Sequence, residues 1–400
     1  MHTFSKLIIA PFFITMVAVS CVKSDNPYEP IDRFEGGKLY TSTTGAFYIA
    51  ELHGTFHQMG RQYGLLLKSQ LAKFYQEVIV DYIINEKKIP YEELLVMGRA
   101  NYNAYPVIFR DYYDGMAETS GLMIDQIKIL SSVLLALYET GCSSLSAWGD
   151  YTASRKTITG RNLDLMAPGI RRFSKYYQIV VWNPIGYPAS VANIDLMGGI
   201  FYQTAVNDKG IFLELQNGQN CDTSNPVGRE NTNNILLESL FRNTTSAEVD
   251  QWFNTTLPEV GLIMNGSYPD HATIYEWATF RVVPRNGQGL LSATNDFIDT
   301  SWRQYPIFMF DTTNEGIGYT CTRRINLMKL GEQNKGAITP QIMMDIFDKA
   351  IPEGGATFPE DGPVSTIYSV VVQPSELKLW LKVRGYSGWE EIDLKNYFSK

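Results

Sequence analysis

Gly141-Cys142-Ser143-Ser144-Leu145-Ser146-Ala147-Trp148-Gly149, followed by Thr159-Gly160-Arg161-Asn162-Leu163-Asp164, is the stretch on which the reading of this chain turns. A free thiol titrates near 8.5, so only a few per cent of it is thiolate at neutral pH and it needs activation. Were Cys142 to become a chain terminus, its own α-amine, titrating at about 7.7 to 8.0, would accept the thiol proton and pass it to a leaving amine. Gly141 suits such a cut. Lacking a Cβ, it can adopt the strained geometry in which the thiol attacks the preceding carbonyl, giving a thioester that water opens. Arg161 and Asp164 sit in an extended segment close enough in sequence to pair with the Cys142 strand. A guanidinium near a thiolate and a carboxylate near an ammonium each have the right sign. Strand alternation nevertheless puts residues three apart on opposite faces, unless a bulge or a strand end intervenes.

Upstream of Cys142 the pattern is mostly helical. After a strand over Thr43 to Gly54, apolar residues recur near a 3.6 period from about Gln58 to Asn85, and helical pattern continues over Tyr91 to Tyr105, Pro106 to Ser120 and Asp125 to Leu137. Downstream, short apolar runs alternate with turn signals: Leu145 to Trp148, Thr157 to Leu165, Tyr176 to Trp182, Ser190 to Asp195, Thr204 to Val206 and Ile211 to Leu215. Asn207-Asp208-Lys209-Gly210 reads as a hairpin turn, because Asn, Asp and Gly tolerate positive φ. A helical layer returns over Asn233 to Phe241, and Thr245-Ser246-Ala247-Glu248 is a capping box for a helix through Phe253. Strands are expected over Ala272 to Val283 and Gly289 to Thr294, then a helix after Thr320 and another opened by Thr339 and Pro340. Ser365 to Gln373 and Leu377 to Val383 close the chain as a hairpin. This order fits an α+β fold of two antiparallel sheets stacked face to face and covered by helices.

The first twenty residues read as a leader and stand outside the fold. Lys6 supplies the positive end, and Leu7 to Val19 is an apolar run too short to span a bilayer. Ala18-Val19-Ser20-Cys21 is similar to a bacterial lipobox, in which Cys21 is lipidated and becomes the mature N-terminus; ordinary cleavage is the alternative. The polar run that follows reads as a tether. The expected division is 1–20 leader, 21–41 lipidated tether, 42–141 mostly helical segment and 142–400 catalytic region. The expected location is the bacterial cell envelope, lipid-anchored, on the periplasmic side or at the cell surface. A net charge of −8 and no run of Lys or Arg argue against nucleic acid as a partner. The four histidines, His2, His53, His57 and His271, are too scattered to suggest a zinc site, and no phosphate loop or paired-cysteine metal spacing is present. Beyond Cys21 the cysteines are Cys142, Cys221 and Cys321; an odd number leaves at least one thiol free.

The quoted stretch resembles the start of the mature catalytic chain in the choloylglycine hydrolase and acyl-CoA:6-aminopenicillanate acyltransferase (peptidase C45) families, the second more closely. Both are N-terminal-nucleophile hydrolases. The resemblance extends to Ile49-Ala50-Glu51-Leu52-His53-Gly54, Gly60-Arg61-Gln62-Tyr63-Gly64, Val206-Asn207-Asp208-Lys209-Gly210, Ala293-Thr294-Asn295-Asp296-Phe297 and Thr366-Ile367-Tyr368-Ser369-Val370-Val371. Asp296 stands where these families carry His. The resemblance implies a four-layer αββα sandwich, self-cleavage between Gly141 and Cys142, and action on linear N-acyl amides by hydrolysis or acyl transfer, with no cofactor and no metal. It also implies that Asp164 holds the α-amine, Arg161 polarises sulfur and substrate carbonyl, Asn217 and Asn295 donate to the oxyanion, and Arg324 or its neighbour Arg323 supports the site.

Two other readings have different consequences. A Cys142 and His271 dyad describes a papain-like peptidase that needs no self-cleavage. An aromatic-rich surface lipoprotein that binds glycans accounts for the leader and the 24 tyrosines, but not for the quoted stretch.

Overall fold

The computed structural model describes residues 28–132, 140–165, 170–200, 203–229, 231–316, 318–360 and 362–399. The leader, Cys21 and the end of the helix expected over Asp125 to Leu137 lie outside these residues. In chain order the strands up to the hairpin at Asn207 are β1 (Asp32–Phe34), β2 (Gly37–Thr41), β3 (Tyr48–Gly54), β4 (Thr140–Ala147), β5 (Ile158–Leu165), β6 (Tyr177–Pro184), β7 (Val191–Leu196) and β8 (Thr204–Asn207). Then come β9 (Phe212–Asn217), β10 (Leu262–Ser267), β11 (Ala272–Ala278), β12 (Arg281–Asn286), β13 (Leu290–Ala293), β14 (Ser365–Gln373), β15 (Lys378–Val383) and β16 (Glu390–Asp393). They form a ten-stranded sheet, β1-β2-β3-β6-β7-β8-β9-β10-β11-β12, and a six-stranded sheet, β13-β4-β5-β14-β15-β16.

The helices are α1 (Phe56–Leu66), α2 (Lys68–Phe74), α3 (Tyr91–Ala104), α4 (Val107–Ser120), α5 (Ile124–Ser132), α6 (Thr232–Arg242), α7 (Ser246–Thr255), α8 (Thr320–Gln333) and α9 (Pro340–Asp348). Helices α1 and α6 cover the outer face of the large sheet, α8 and α9 cover the outer face of the small one, and β4 meets β9 where the sheets face each other. The four layers are therefore helix, sheet, sheet, helix, and the fold is α+β. No described helix is long and apolar enough to cross a membrane.

The structure differs from the sequence reading at definite places. Among the described strands, pairing is antiparallel except between β3 and β6, which run parallel. That single parallel pair sutures the segment before Cys142 onto the segment after it, so the large sheet is built from both. Within the stretch 21–41, read as a tether, residues 32–41 form a hairpin, with Asp32 opposite Leu39. The long helical run over Gln58 to Asn85 is broken at Leu67, whose ψ of 17° departs from helical values, and ends in a π-helical stretch over Tyr75–Glu86. Ala272 to Val283 is two strands, because the chain turns between Ala278 and Arg281.

Local signals worked where the physics is local. The Thr245 box is present, with Glu248 N–H donating to Thr245 Oγ1 at 3.2 Å. Thr339 caps α9 with Pro340 at its first position. Gly60 and Gly64 in α1, and Gly115 in α4, let the two helices touch backbone to backbone: a Cβ on Gly60 would collide with the carbonyl oxygen of Tyr112. That close approach explains the two glycines of the Gly60 to Gly64 segment and fixes the helical layer over β3.

Candidate active site

Cys142 is the third residue of β4, between β13 and β5, and β4 runs unbroken through Gly141 and Cys142. Cys142 lies opposite Leu163 of β5, so Leu163, Arg161 and Ser144 share its face, while Gly141, Asn162 and Asp164 share the other. Arg161 and Asp164 therefore do fall on opposite faces, as alternation demands, and both still reach Cys142. One meets its side chain and the other its backbone.

On the face between the sheets, Arg161 Nη2 donates to Cys142 Sγ at 3.3 Å and to Leu215 O at 2.9 Å, and its Nη1 donates to Gln203 O at 2.7 Å. Thr204 and Tyr368 complete the hydroxyl contacts of Nη1. Its Nε lies 2.8 Å from Glu214 Oε2, an ion pair without hydrogen-bond alignment. Glu214 Oε1 accepts from Gln216 Nε2 and Asn265 Nδ2, each at 3.1 Å. The side chains of Arg161 and Glu214 are both fully buried. Burial opposes the Arg161 charge, but Tyr368, Cys142 and Glu214 outweigh it and hold the guanidinium protonated. Burial pushes the Cys142 thiol above its ordinary value, with Arg161 pulling the other way.

On the helix side, Asp164 stands against Gly141: a Cβ there would sit 3.4 Å from the Asp164 Cβ. Arg323 of α8 ties this side together, its Nη1 donating to Cys142 O at 2.7 Å and Asp164 Oδ2 at 3.1 Å, its Nη2 to Asn295 Oδ1 at 2.9 Å. Thr366 Oγ1 donates to Asp164 Oδ1 at 2.6 Å. Burial raises the Asp164 carboxyl, opposed by Arg323 and Thr366. The Cys142 N–H donates to Asn295 Oδ1 at 2.9 Å, and Asn295 Nδ2 donates to Asn217 O at 2.9 Å. Asn217 is itself held by Gln219 N–H, which donates to its Oδ1 at 2.9 Å.

A bulge does matter, but in the neighbouring strand. The register of β14 shifts between Thr366, opposite Asp164, and Tyr368, opposite Leu163. Two residues apart would ordinarily face the same way; the extra residue lets Thr366 serve Asp164 on one face and Tyr368 serve Arg161 on the other.

Of the residues named from sequence, Cys142, Gly141, Arg161, Asp164, Asn217 and Asn295 converge. Arg324 does not. It ion-pairs with Asp296 at 3.0 Å, and its neighbour Arg323 takes the place at Cys142. His271 lies in the loop joining β10 to β11, stacked on Tyr268 and bonded to Asp270 at 2.7 Å, with no bond to Cys142. Cys221 and Cys321 are free thiols and form no disulfide. Glu214, Thr366 and Tyr368 were not singled out as site residues from the sequence. The available signal for Glu214 was a carboxylate between Leu213 and Leu215 in mid-strand, which reads as a solvated face until the second sheet covers it.

No family model matches the chain, and no curated protein does. Similar solved structures include a mutant of conjugated bile acid hydrolase from Clostridium perfringens, with 13% identity over 64% of this chain and 92% of that one, at a TM-score of 0.44. Another is the N-acylethanolamine-hydrolyzing acid amidase ortholog of Caenorhabditis elegans, with 16% identity over 58% and 93%, at 0.41. Penicillin V acylase from Agrobacterium tumefaciens is a third, with 12% identity over 64% and 88%, at 0.42.

Proposed function

We propose that this protein is an amidohydrolase that cuts its own chain between Gly141 and Cys142 and then uses Cys142 as an N-terminal nucleophile on linear N-acyl amides, by hydrolysis or acyl transfer. The observation that carries this is the two-sided grip on one residue: Arg161 on the Cys142 thiol, and Asn295, Arg323 and Asp164 around its backbone. A thiol used as a simple side-chain nucleophile needs a base beside the sulfur, and the sulfur's polar neighbour is a permanent cation instead. The acceptors gather at the nitrogen. Asn295 Oδ1 accepts from the Cys142 N–H and would accept equally from the amine that cleavage creates there, with the Asp164 carboxylate close by to balance an ammonium.

In the cutting step the thiol attacks the Gly141 carbonyl carbon, the C–N bond breaks, and the nitrogen of Cys142 takes the proton to become an amine. Water then opens the Gly141 thioester. In turnover the amine takes the thiol proton, the thiolate attacks the substrate carbonyl, the amine protonates the departing nitrogen, and water or an acceptor amine then opens the acyl thioester and restores the Cys142 thiol. Asn217 Nδ2, whose partner oxygen is already held by Gln219, supplies a neutral donor to the oxyanion. Cys142 is 1% exposed, so release of the strand end at Gly141 is also what opens the thiol to a substrate.

Wild-type protein should run as two fragments under denaturing conditions, the second beginning Cys-Ser-Ser-Leu-Ser. Cys142→Ala should give one intact, inactive chain. An uncut wild-type chain with full amidase activity would sink the reading. Placement in the envelope through lipidated Cys21 is part of the same proposal; Cys21→Ala should abolish labelling by a palmitate analogue and release the protein from membranes, and label that survives the substitution refutes it.

A further inference from the structure

A second constellation lies away from Cys142, at the carboxyl ends of the parallel strands β3 and β6. There a surface cavity of about 550 Å³ is lined by His53, Gln58, Asn183, Tyr187, Asp208 and Ser399, among others. Ser399 Oγ lies 3.1 Å from His53 Nδ1, and His53 Nε2 lies 2.7 Å from Glu51 Oε1. Glu51 is 4% exposed and also accepts from Tyr40 Oη at 2.6 Å and Lys38 Nζ at 2.9 Å. Burial works against its charge, but His53, Tyr40 and Lys38 together hold the carboxyl below its ordinary range.

The direction of the hydrogen bonds follows from that. An ionised carboxylate has no proton to give, so Nε2 must carry the hydrogen toward Glu51. In neutral imidazole Nδ1 is then a bare acceptor, and the Ser399 hydroxyl donates into it. Ser399 is also held from behind: its N–H donates to Asn183 Oδ1 at 2.7 Å, Asn183 Nδ2 donates to Tyr397 O at 3.1 Å, and the Tyr397 ring packs edge-on against Tyr40 at 5.0 Å. A hydroxyl aimed at a base, with the base aimed at a buried carboxylate, is the arrangement that activates a serine. On the cavity wall Gln58 has its Oε1 committed to Thr55 N–H at 2.8 Å, which leaves its Nε2 as a neutral donor for an oxyanion.

We infer that Ser399, His53 and Glu51 form a second nucleophilic site, independent of Cys142, that hydrolyses small polar esters. Ser399 Oγ bonds to the ester carbonyl carbon as its proton moves to His53 Nδ1. The alkoxide leaves with that proton, and water, deprotonated by His53, opens the acyl-serine to release the acid and restore Ser399. The cavity wall is polar, and its carboxylates Glu35 and Asp208 are already paired with Arg61 and Lys209, which suits a small, uncharged polar ester.

The test treats full-length wild type and the Cys142→Ala variant with a fluorophosphonate and locates the adduct by peptide mass, alongside hydrolysis of p-nitrophenyl acetate. The adduct is expected on Ser399 in both proteins, which separates this site from anything Cys142 does. Ser399→Ala should remove the adduct and the ester hydrolysis that persists in Cys142→Ala. His53→Gln should slow labelling at Ser399 about 100-fold, the usual worth of a general base, while leaving Cys142-dependent amide turnover unchanged. An unmodified Ser399, an adduct found only elsewhere, or labelling as fast in His53→Gln as in wild type would each overturn the inference.

Discussion

The two faces of strand β5 do different work on the same cysteine. Toward the other sheet, Arg161 is fully buried and meets a sulfur, a carboxylate and two carbonyls. Toward α8, Asp164 is equally buried and meets a guanidinium, a hydroxyl and a glycine. The face between the sheets is polar far beyond the site: Ser146, Thr159, Asn265 and Ser267 bond one another there, and Gln216 Nε2 donates to Ser144 Oγ at 2.7 Å. The helix-side face stays polar through Asn162, whose amide donates to Thr357 and accepts from Ser369, and only beyond it turns apolar, with Gly160 lying under the Phe347 ring of α9. The thiol and the backbone of Cys142 are therefore held from separate compartments, so a substitution is expected to disturb one while sparing the other.

The largest effect is expected from Arg161→Met. It removes the thiol's cationic neighbour and strands Glu214 without its ion-pair partner, and breaking a buried pair costs about 3–5 kcal/mol. Both cutting and stability in urea should fall. Adding Glu214→Leu removes the stranded charge and should recover most of the stability without recovering the cut, since an apolar replacement of a whole buried pair is often neutral. Recovery of cleavage in the double variant would show that Arg161 serves only packing.

Asp164→Asn probes the other compartment with a smaller change. The amide keeps the shape and an acceptor for Thr366 or Arg323, but it cannot balance an ammonium. Cutting and turnover should slow about 100-fold or more, the range for losing a positioned acid or base, while the thiol side stays intact. Intact protein isolated from this variant should therefore still show Cys142 shielded from alkylation in the folded state and reactive in denaturant. Rapid alkylation of the folded variant would mean that the two faces are not separate.

How far the sequence revealed this follows the range of each interaction. The Thr245 box, the Thr339 and Pro340 helix start and the turn at Asn207, where Gly210 has φ 75°, depend on a few adjacent residues, and each stands where it was expected. The layered α+β architecture was legible from element order. The parallel join of β3 to β6 was not, because nothing local distinguishes a strand that pairs across more than a hundred residues of chain. Glu214, Gln216, Asn265 and Ser267 were hidden for a related reason: alternating polar positions signal solvent when only one sheet is considered, and a buried seam once a second sheet covers it. Arg161 and Asp164 were found, but the bulge that matters lies in β14, which only the paired structure reveals.

The choice between Arg323 and Arg324 shows that limit at its sharpest and leads to the smallest expected effect. Adjacent helix residues point about 100° apart, so on α8 one arginine faces the sheet and the other its flank. Arg323 is fully buried and donates to Cys142 O, Asp164 and Asn295, whereas Arg324 is 18% exposed and donates to Asp296. Arg323→Met should stop cutting, because it frees Asn295 Oδ1 from its second donor and leaves Asp164 with Thr366 alone. Arg324→Met should leave the cut and the turnover at wild-type rates. Its cost should appear only in stability, because buried Asp296 keeps the Thr294 hydroxyl, 2.7 Å away, as a remaining donor. Measuring the fraction cut and the urea midpoint for both variants decides the matter: loss of cleavage in Arg324→Met with cleavage retained in Arg323→Met would reverse the assignment, since Arg324 bonds Asp296 and not the Gly141–Cys142 peptide.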